Sequence, residues 1–196
     1  MRVIGLTGSF GTGKSTVAAM FTRCGAKVLD ADKVVHRLLE KDRSSRKKII
    51  KFFGKDIVSK GKIDRRKLGA VVFHSPSKLK RLEKILHPAV QEVFKKELKN
   101  IKKRDPKATV VLDIPLLFES KRRWPFKSIV VVKTTRANQL KRAARKFHLT
   151  PREALRRITK QMPLKDKIRR ADFIIDNNKS KRETKKQVKR LWQKWQ

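Results

Sequence analysis

Near its start the chain passes from an apolar stretch, Val3-Ile4-Gly5-Leu6, through a glycine-studded turn into Val17, Ala18 and Phe21 at helical spacing. The turn reads G-x-x-x-x-G-K-S, with Gly8 first and Gly13-Lys14-Ser15 closing it. A strand before the motif and a helix after it constrain the fold more than any other feature. This is the context in which the pattern becomes a phosphate-binding P-loop. Glycines at 8, 11 and 13 leave no Cβ in the way, so backbone N–H groups can turn inward around a β-phosphate. The helix opening near Lys14 aims its unpaired N–H groups and positive dipole end at the same anion. Lys14 is then placed to reach the β- and γ-phosphates, and the Ser15 hydroxyl to hold Mg²⁺.

The length of 196 residues suits one domain, or one core carrying an inserted subdomain. No apolar run is long enough to span a membrane. The N-terminus enters a strand directly, without the pattern of a signal peptide. Cys24, the single cysteine, has no partner for an internal disulfide. These features predict a cytoplasmic protein. The charge is extreme: 55 Lys and Arg against 17 Asp and Glu give a formal +38. Such a field attracts polyanions. The basic residues are dispersed and no RNA-binding signature accompanies them, so no specific nucleic-acid partner is expected.

Further along, Gly25 is a helix stop and Lys27-Val28-Leu29-Asp30 a second strand. If that strand continues, Asp30 and Asp32 point to one side at its carboxyl end, where open α/β sheets bind ligands. Residues 33 to 103 read as almost entirely helical, too long for a simple crossover, with His87 at a helix entrance before Pro88. Thr109 to Asp113 is a third strand with the form of a Walker B strand, which makes Asp113 a further candidate for the metal shell or substrate. Lys127 to Val132 and Ala171 to Asn178 supply the fourth and fifth strands. All are continuous apolar runs, as in parallel sheets covered on both faces. Between them, Leu140, Ala143, Ala144 and Phe147 form a predicted apolar face. Thr150-Pro151-Arg152-Glu153 is a capping box opening a helix with Ala154, Leu155, Ile158 and Gln161. This arginine-rich hairpin is a candidate lid. Val188, Leu191, Trp192 and Trp195 form a stripe that docks on the sheet. His36, His74, His87 and His148 show no metal-ligand spacing.

The segments Gly5 to Thr16, Asp30-Ala31-Asp32, Leu86-His87-Pro88, Asp113-Ile114-Pro115-Leu116-Leu117-Phe118-Glu119 and Ala171 to Asn178 occur in this order. Together they make the chain resemble the dephospho-CoA kinase family from residue 1 to about 190. The resemblance implies an α/β P-loop NTPase fold, a five-stranded parallel sheet flanked by helices. Its core would be about 1–32, 104–134 and 171–196, with a helical CoA-binding insertion about 33–103 and a lid about 135–170. It implies phosphorylation of the ribose 3′-hydroxyl of dephospho-CoA by ATP with Mg²⁺. Gly11, Thr12, Gly13, Lys14, Ser15 and Thr16 would bind the ATP phosphates, with Asp32 as general base and Arg142 as a lid arginine on the phosphates. His87, Leu116 and Gln161 fall at positions associated with the substrate side. The chain departs from the family at Ser9-Phe10 and Thr12, where Gly-Ile and Ser are usual, and at Lys146-Phe147-His148.

Two other classes compete. Another P-loop small-molecule kinase, on nucleoside monophosphates or shikimate, would lack the Asp30-Ala31-Asp32 and Leu86-His87-Pro88 segments. A nucleic-acid-stimulated ATPase or a GTPase switch would need features absent here, such as an Asn-Lys-x-Asp guanine-reading segment. The expected partners are ATP and dephospho-CoA, with no membrane, in a monomer or weak homo-oligomer.

Overall fold

The computed structural model describes residues 1–120 and 124–196. In chain order the elements begin with β1 (Arg2–Thr7), α1 (Lys14–Arg23), β2 (Lys27–Asp30), α2 (Ala31–Lys41) and α3 (Arg43–Phe53). A 3-10 turn at Lys55–Ile57 leads to β3 (Val58–Ser59), β4 (Lys62–Ile63), α4 (Arg65–Phe73) and α5 (Pro76–Arg104). The chain finishes with β5 (Thr109–Asp113), β6 (Ser128–Lys133), α6 (Arg136–Phe147), α7 (Pro151–Thr159), α8 (Leu164–Arg169), β7 (Phe173–Asp176) and α9 (Lys181–Gln193). Two compact units result: Met1–Asp30 with Ile101–Gln196, and Ala31–Asn100.

In the first unit, five of the described strands pair in parallel in the order β2-β5-β1-β6-β7. Val110, Val111 and Leu112 of β5 and Val130, Val131 and Val132 of β6 are fully buried. Burial at consecutive positions means that both faces are covered, which is why these strands lack polar alternation. Val17 and Phe21 of α1 join Val188, Leu191 and Trp195 in one core with Ile4, Leu6 and Ile175. The Trp195 ring stacks on Phe21 at 5.4 Å, so the terminal stripe anchors α9 as its spacing predicts. The register sets Leu6 of β1 opposite Asp113 of β5, and Asp113 opposite Asp30 of β2. The turn after β1 and the carboxylate of Asp113 therefore lie at the same, carboxyl edge of the sheet.

The second unit departs from an all-helical reading. Val58–Ser59 and Lys62–Ile63 pair antiparallel around Lys60 and Gly61, both at positive φ (50° and 72°). Two successive left-handed residues suit a tight hairpin turn, and Ile57 and Ile63 are buried beside it. Asp42 and Asp64 cap α3 and α4, accepting hydrogen bonds from the N–H groups of Ser45 and of Arg66 and Lys67. Pro88 does not open a helix. α5 runs through it, and Pro88 is exposed. His87 is thus a half-buried helix-interior residue. The strand before Asp32 also ends sooner than an extended reading requires. α2 starts at Ala31, and Asp32 sits exposed in its first turn, where a negative charge suits the helix dipole.

Candidate functional site

The turn between β1 and α1 is built from its own backbone inward. Gly13 is the N-cap of α1 in a left-handed conformation, φ 87°, that few side chains tolerate. A Cβ there would also collide with Asn177 Nδ2, which donates a 2.8 Å hydrogen bond to the Thr12 carbonyl. Asn177 is itself buried and held by Thr184, whose hydroxyl donates to its Oδ1 at 2.9 Å. Thr12 closes the turn internally: its hydroxyl donates to the Ser9 carbonyl at 2.9 Å. The loop is a fixed scaffold, as a backbone anion cradle must be.

Lys14, in the first turn of α1, reaches across to the end of β5. Its Nζ lies 2.8 Å from Asp113 Oδ1, with side chains 15% and 6% exposed. The pair is docked by the sheet, because Ile114 N–H donates to the Leu6 carbonyl at 3.0 Å and the Thr7 hydroxyl donates to the Pro115 carbonyl at 3.1 Å. Ser15 is exposed next to Lys14, and its Oγ accepts a 3.4 Å contact from Lys146 Nζ. Thr16 N–H is bonded to the Gly13 carbonyl at 3.0 Å, as part of the first helical turn.

The α6–α7 segment grips this loop closely. Arg142 donates from Nη1 to the Thr12 carbonyl at 3.1 Å and from Nη2 to the Asn177 carbonyl at 2.7 Å. Gln139, only 2% exposed, donates from Nε2 to the Phe10 carbonyl at 2.7 Å. A Cβ on Gly11 (φ 77°) would come within 2.8 Å of the Gln139 carbonyl, so only glycine lets α6 approach here. Gln161, just beyond the end of α7, accepts the Phe10 N–H on its Oε1 at 2.9 Å. The buried face of α6 is therefore Gln139 and Ala143. Ala144 and Phe147 are exposed, against the apolar face that periodicity predicts. Leu155 is likewise exposed on α7.

A second cation lies behind the first. Lys167 is completely buried, with Nζ 2.8 Å from Glu119 Oε1 and 3.1 Å from the Pro115 carbonyl it donates to. Burial pushes its ammonium below the usual lysine range; the hydrogen bond and charge of Glu119 oppose the shift, and Lys14 adds to it. Glu119 also accepts the Met162 N–H at 2.9 Å. The segment from Asp113 to Glu119 is thereby pinned at both ends by lysines, with Leu116 half-buried between them. Sequence reading singled out neither Lys167, Gln139 nor Asn177. No periodicity marks a polar side chain whose partner lies far away in the chain.

Of the predicted site residues, the first unit brings together Gly11 to Thr16, Asp113, Arg142 and Gln161. Asp32 and His87 belong to the second unit. Among the described residues no cluster of three or more His, Cys, Asp or Glu could hold a metal ion unaided.

The dephospho-CoA kinase family model matches residues 2–183. The dephospho-CoA kinase of Bacillus cereus is 40% identical over 194 residues, covering 98% of this chain and 96% of that one. The chain belongs to the dephospho-CoA kinase family. Its relative from Listeria innocua is 41% identical over 188 residues, covering 95% of this chain and 94% of that one. A crystal structure from Thermus thermophilus superposes with a TM-score of 0.84 at 32% identity, covering 97% of this chain and 95% of that one. The dephospho-CoA kinase from Campylobacter jejuni superposes at 0.66 with 26% identity, over 99% and 97% of the two chains. The family assignment spans the P-loop, the β5 carboxylate and the α6–α8 region alike.

Proposed function

We propose that the chain transfers the γ-phosphoryl group of ATP to the ribose 3′-hydroxyl of dephospho-CoA, giving coenzyme A and ADP in the last step of coenzyme A synthesis. The observation that carries the reading is the Lys14–Asp113 pair at the head of a P-loop, in a chain matched to the family over residues 2–183. In this account the backbone from Gly11 to Thr16 surrounds the ATP phosphates and Lys14 clamps the β- and γ-groups. Phosphoryl transfer needs little covalent help from a protein, so charge placed where it develops is the main contribution.

The donor set suits Mg²⁺. This ion keeps several waters and takes one or two protein oxygens plus substrate phosphates, so a dedicated protein cage is not required. The exposed Ser15 hydroxyl and the Asp113 carboxylate would hold it, and when bound it neutralises phosphate charge. Arg142 adds a fixed positive charge beside Thr12, and its guanidinium carries five N–H donors in all. Asp32 acts as general base, taking the proton of the 3′-hydroxyl as its oxygen attacks the γ-phosphorus and the bond to the ADP oxygen breaks. Phosphoryl transfer draws more on positioning than on base strength, so the placement of Asp32 supplies most of its contribution. By resemblance, His87, Leu116 and Gln161 serve the substrate side. The 33–103 insertion receives the CoA moiety and α6–α7 form the lid. No described helix is long and apolar enough to cross a membrane. The protein works in the cytoplasm as a monomer or weak homo-oligomer, without a dedicated nucleic-acid partner.

The test is ADP release from Mg·ATP with dephospho-CoA, a nucleoside monophosphate or shikimate as acceptor. Release depends on dephospho-CoA alone, and Asp32→Asn lowers turnover by about 10²–10⁴-fold with ATP binding retained. Near-normal turnover in that variant removes Asp32 from the mechanism. Preference for another acceptor removes the reading.

A further inference from the structure

The peptide of Phe10 is held from both sides by glutamine side chains. Gln161 Oε1 accepts its N–H at 2.9 Å, and Gln139 Nε2 donates to its carbonyl at 2.7 Å. The ring is held as well, lying 5.0 Å from the ring of Phe147 at the end of α6 and 5.6 Å from the Arg157 guanidinium of α7. Gln161 is further restrained by its neighbours: Met162 N–H donates to Glu119, which pairs with the buried Lys167.

We infer that Gln161 is a positioning residue for the donor loop rather than a contact for the acceptor: it fixes the Phe10 peptide, and with it the P-loop backbone that receives ATP. The inference rests on the donor-site reading given above and revises the role that resemblance assigns to Gln161. A backbone cradle stabilises phosphate only when its N–H groups are held in place before the ligand arrives, because reorganisation on binding subtracts from affinity. Phe10 lies inside the glycine-rich turn, three residues past the end of β1 and next to Gly11, where glycine leaves the main-chain torsions loosely restrained. Two amide side chains, one on the Phe10 N–H and one on its carbonyl, tie down the two peptide groups that flank its Cα. The Phe147 ring, itself exposed, adds an apolar contact on the same residue.

Gln161→Met removes the acceptor for the Phe10 N–H while keeping side-chain length. Gln161 is partly buried and outside a helix, so the variant is expected to fold with a modest loss of stability, and a cooperative thermal transition without ligand verifies it. Binding of a non-hydrolysable ATP analogue weakens about three- to tenfold, the range for one lost hydrogen bond. The KM for ATP rises in parallel, while the KM for dephospho-CoA, at saturating ATP, stays within about twofold. Phe147→Leu weakens analogue binding in the same direction by a smaller factor. An unchanged analogue affinity in Gln161→Met overturns the inference, as does a rise in the dephospho-CoA KM equal to or larger than that for ATP. If the wild-type protein fails to turn over dephospho-CoA, the functional reading fails, and analogue binding still decides whether Gln161 positions the loop.

Discussion

Lys14 Nζ lies 2.8 Å from Asp113 Oδ1, joining the first turn of the P-loop helix to the end of the neighbouring strand. Both side chains are largely shielded from water, at 15% and 6% exposure, so each restrains the orientation of the other. In the proposed reaction Lys14 would draw phosphate and Asp113 would draw Mg²⁺, and the two stand side by side. Lys14→Met lowers turnover by about 10²–10³-fold, the usual cost of removing one preorganised charge donor. Asp113→Asn leaves the shape unchanged and shifts the midpoint of Mg²⁺ activation upward severalfold. A midpoint that does not move would take Asp113 out of the metal shell.

Gly13 is constrained twice, by its left-handed backbone and by Asn177 occupying the space beside it. Gly13→Ala strains the turn by about 1–2 kcal/mol and displaces Asn177 from the Thr12 carbonyl. The expected result is a lower melting temperature together with loss of the ATP-induced rise in that temperature. Retention of the full ATP-induced rise would show that the Asn177 contact is dispensable for nucleotide binding.

The buried Lys167–Glu119 pair is a stability feature with a measurable coupling. Lys167→Met leaves the Glu119 carboxylate without its cation. Glu119 is 22% exposed, so the loss is at the low end for a broken buried pair, about 3 kcal/mol. For a chain of this length that lowers the melting temperature by roughly 6–12 °C. Adding Glu119→Gln to Lys167→Met recovers part of the loss, since no unpaired charge remains. Equal losses in the single and double variants would mean that the two groups do not couple.

Acid sensitivity should come in part from helix caps. The Ser45 backbone and side-chain hydrogen bonds hold the Asp42 carboxyl below its ordinary 3.8, and the Lys67 and Arg66 backbone N–H groups do the same for Asp64. A depressed folded-state pKa means stability that is present above the ordinary value and lost as pH falls through the lowered one. The urea midpoint should therefore hold above about pH 5 and fall below about pH 4. Asp42→Asn with Asp64→Asn keeps the caps, removes these titrations and flattens the fall. A parallel fall in variant and wild type would contradict the assignment.

The five sheet strands, the P-loop and the Thr150 capping box were legible because each is a local pattern: a continuous apolar run, a fixed glycine spacing, a hydroxyl three residues before a glutamate. The β3–β4 hairpin was not, since two-residue strands carry no periodicity and the Lys60-Gly61 turn is a weak signal inside helical surroundings. Pro88 misled because a proline more often stops or kinks a helix than sits inside one, yet the 29-residue α5 continues through it at an exposed position. On α6, apolar periodicity pointed correctly to Ala143 but also to Phe147, which is exposed, while it passed over the buried Gln139, whose amide meets the Phe10 carbonyl. In the site, Lys14 and Asp113 could be proposed from motifs. The polar partners that fix the loop, Asn177, Gln139 and Lys167, depend on contacts between distant segments that no local pattern encodes.

Identification of the product tests the proposed phosphoryl transfer. Protein incubated with Mg·ATP and dephospho-CoA is assayed for ADP, and the acceptor product is analysed by mass spectrometry and phosphorus NMR. The account predicts one new phosphomonoester, on the ribose 3′-oxygen, formed in equal amount to ADP and absent with Lys14→Met. Folded protein that releases no dephospho-CoA-dependent ADP, or that places the phosphate elsewhere, would contradict it.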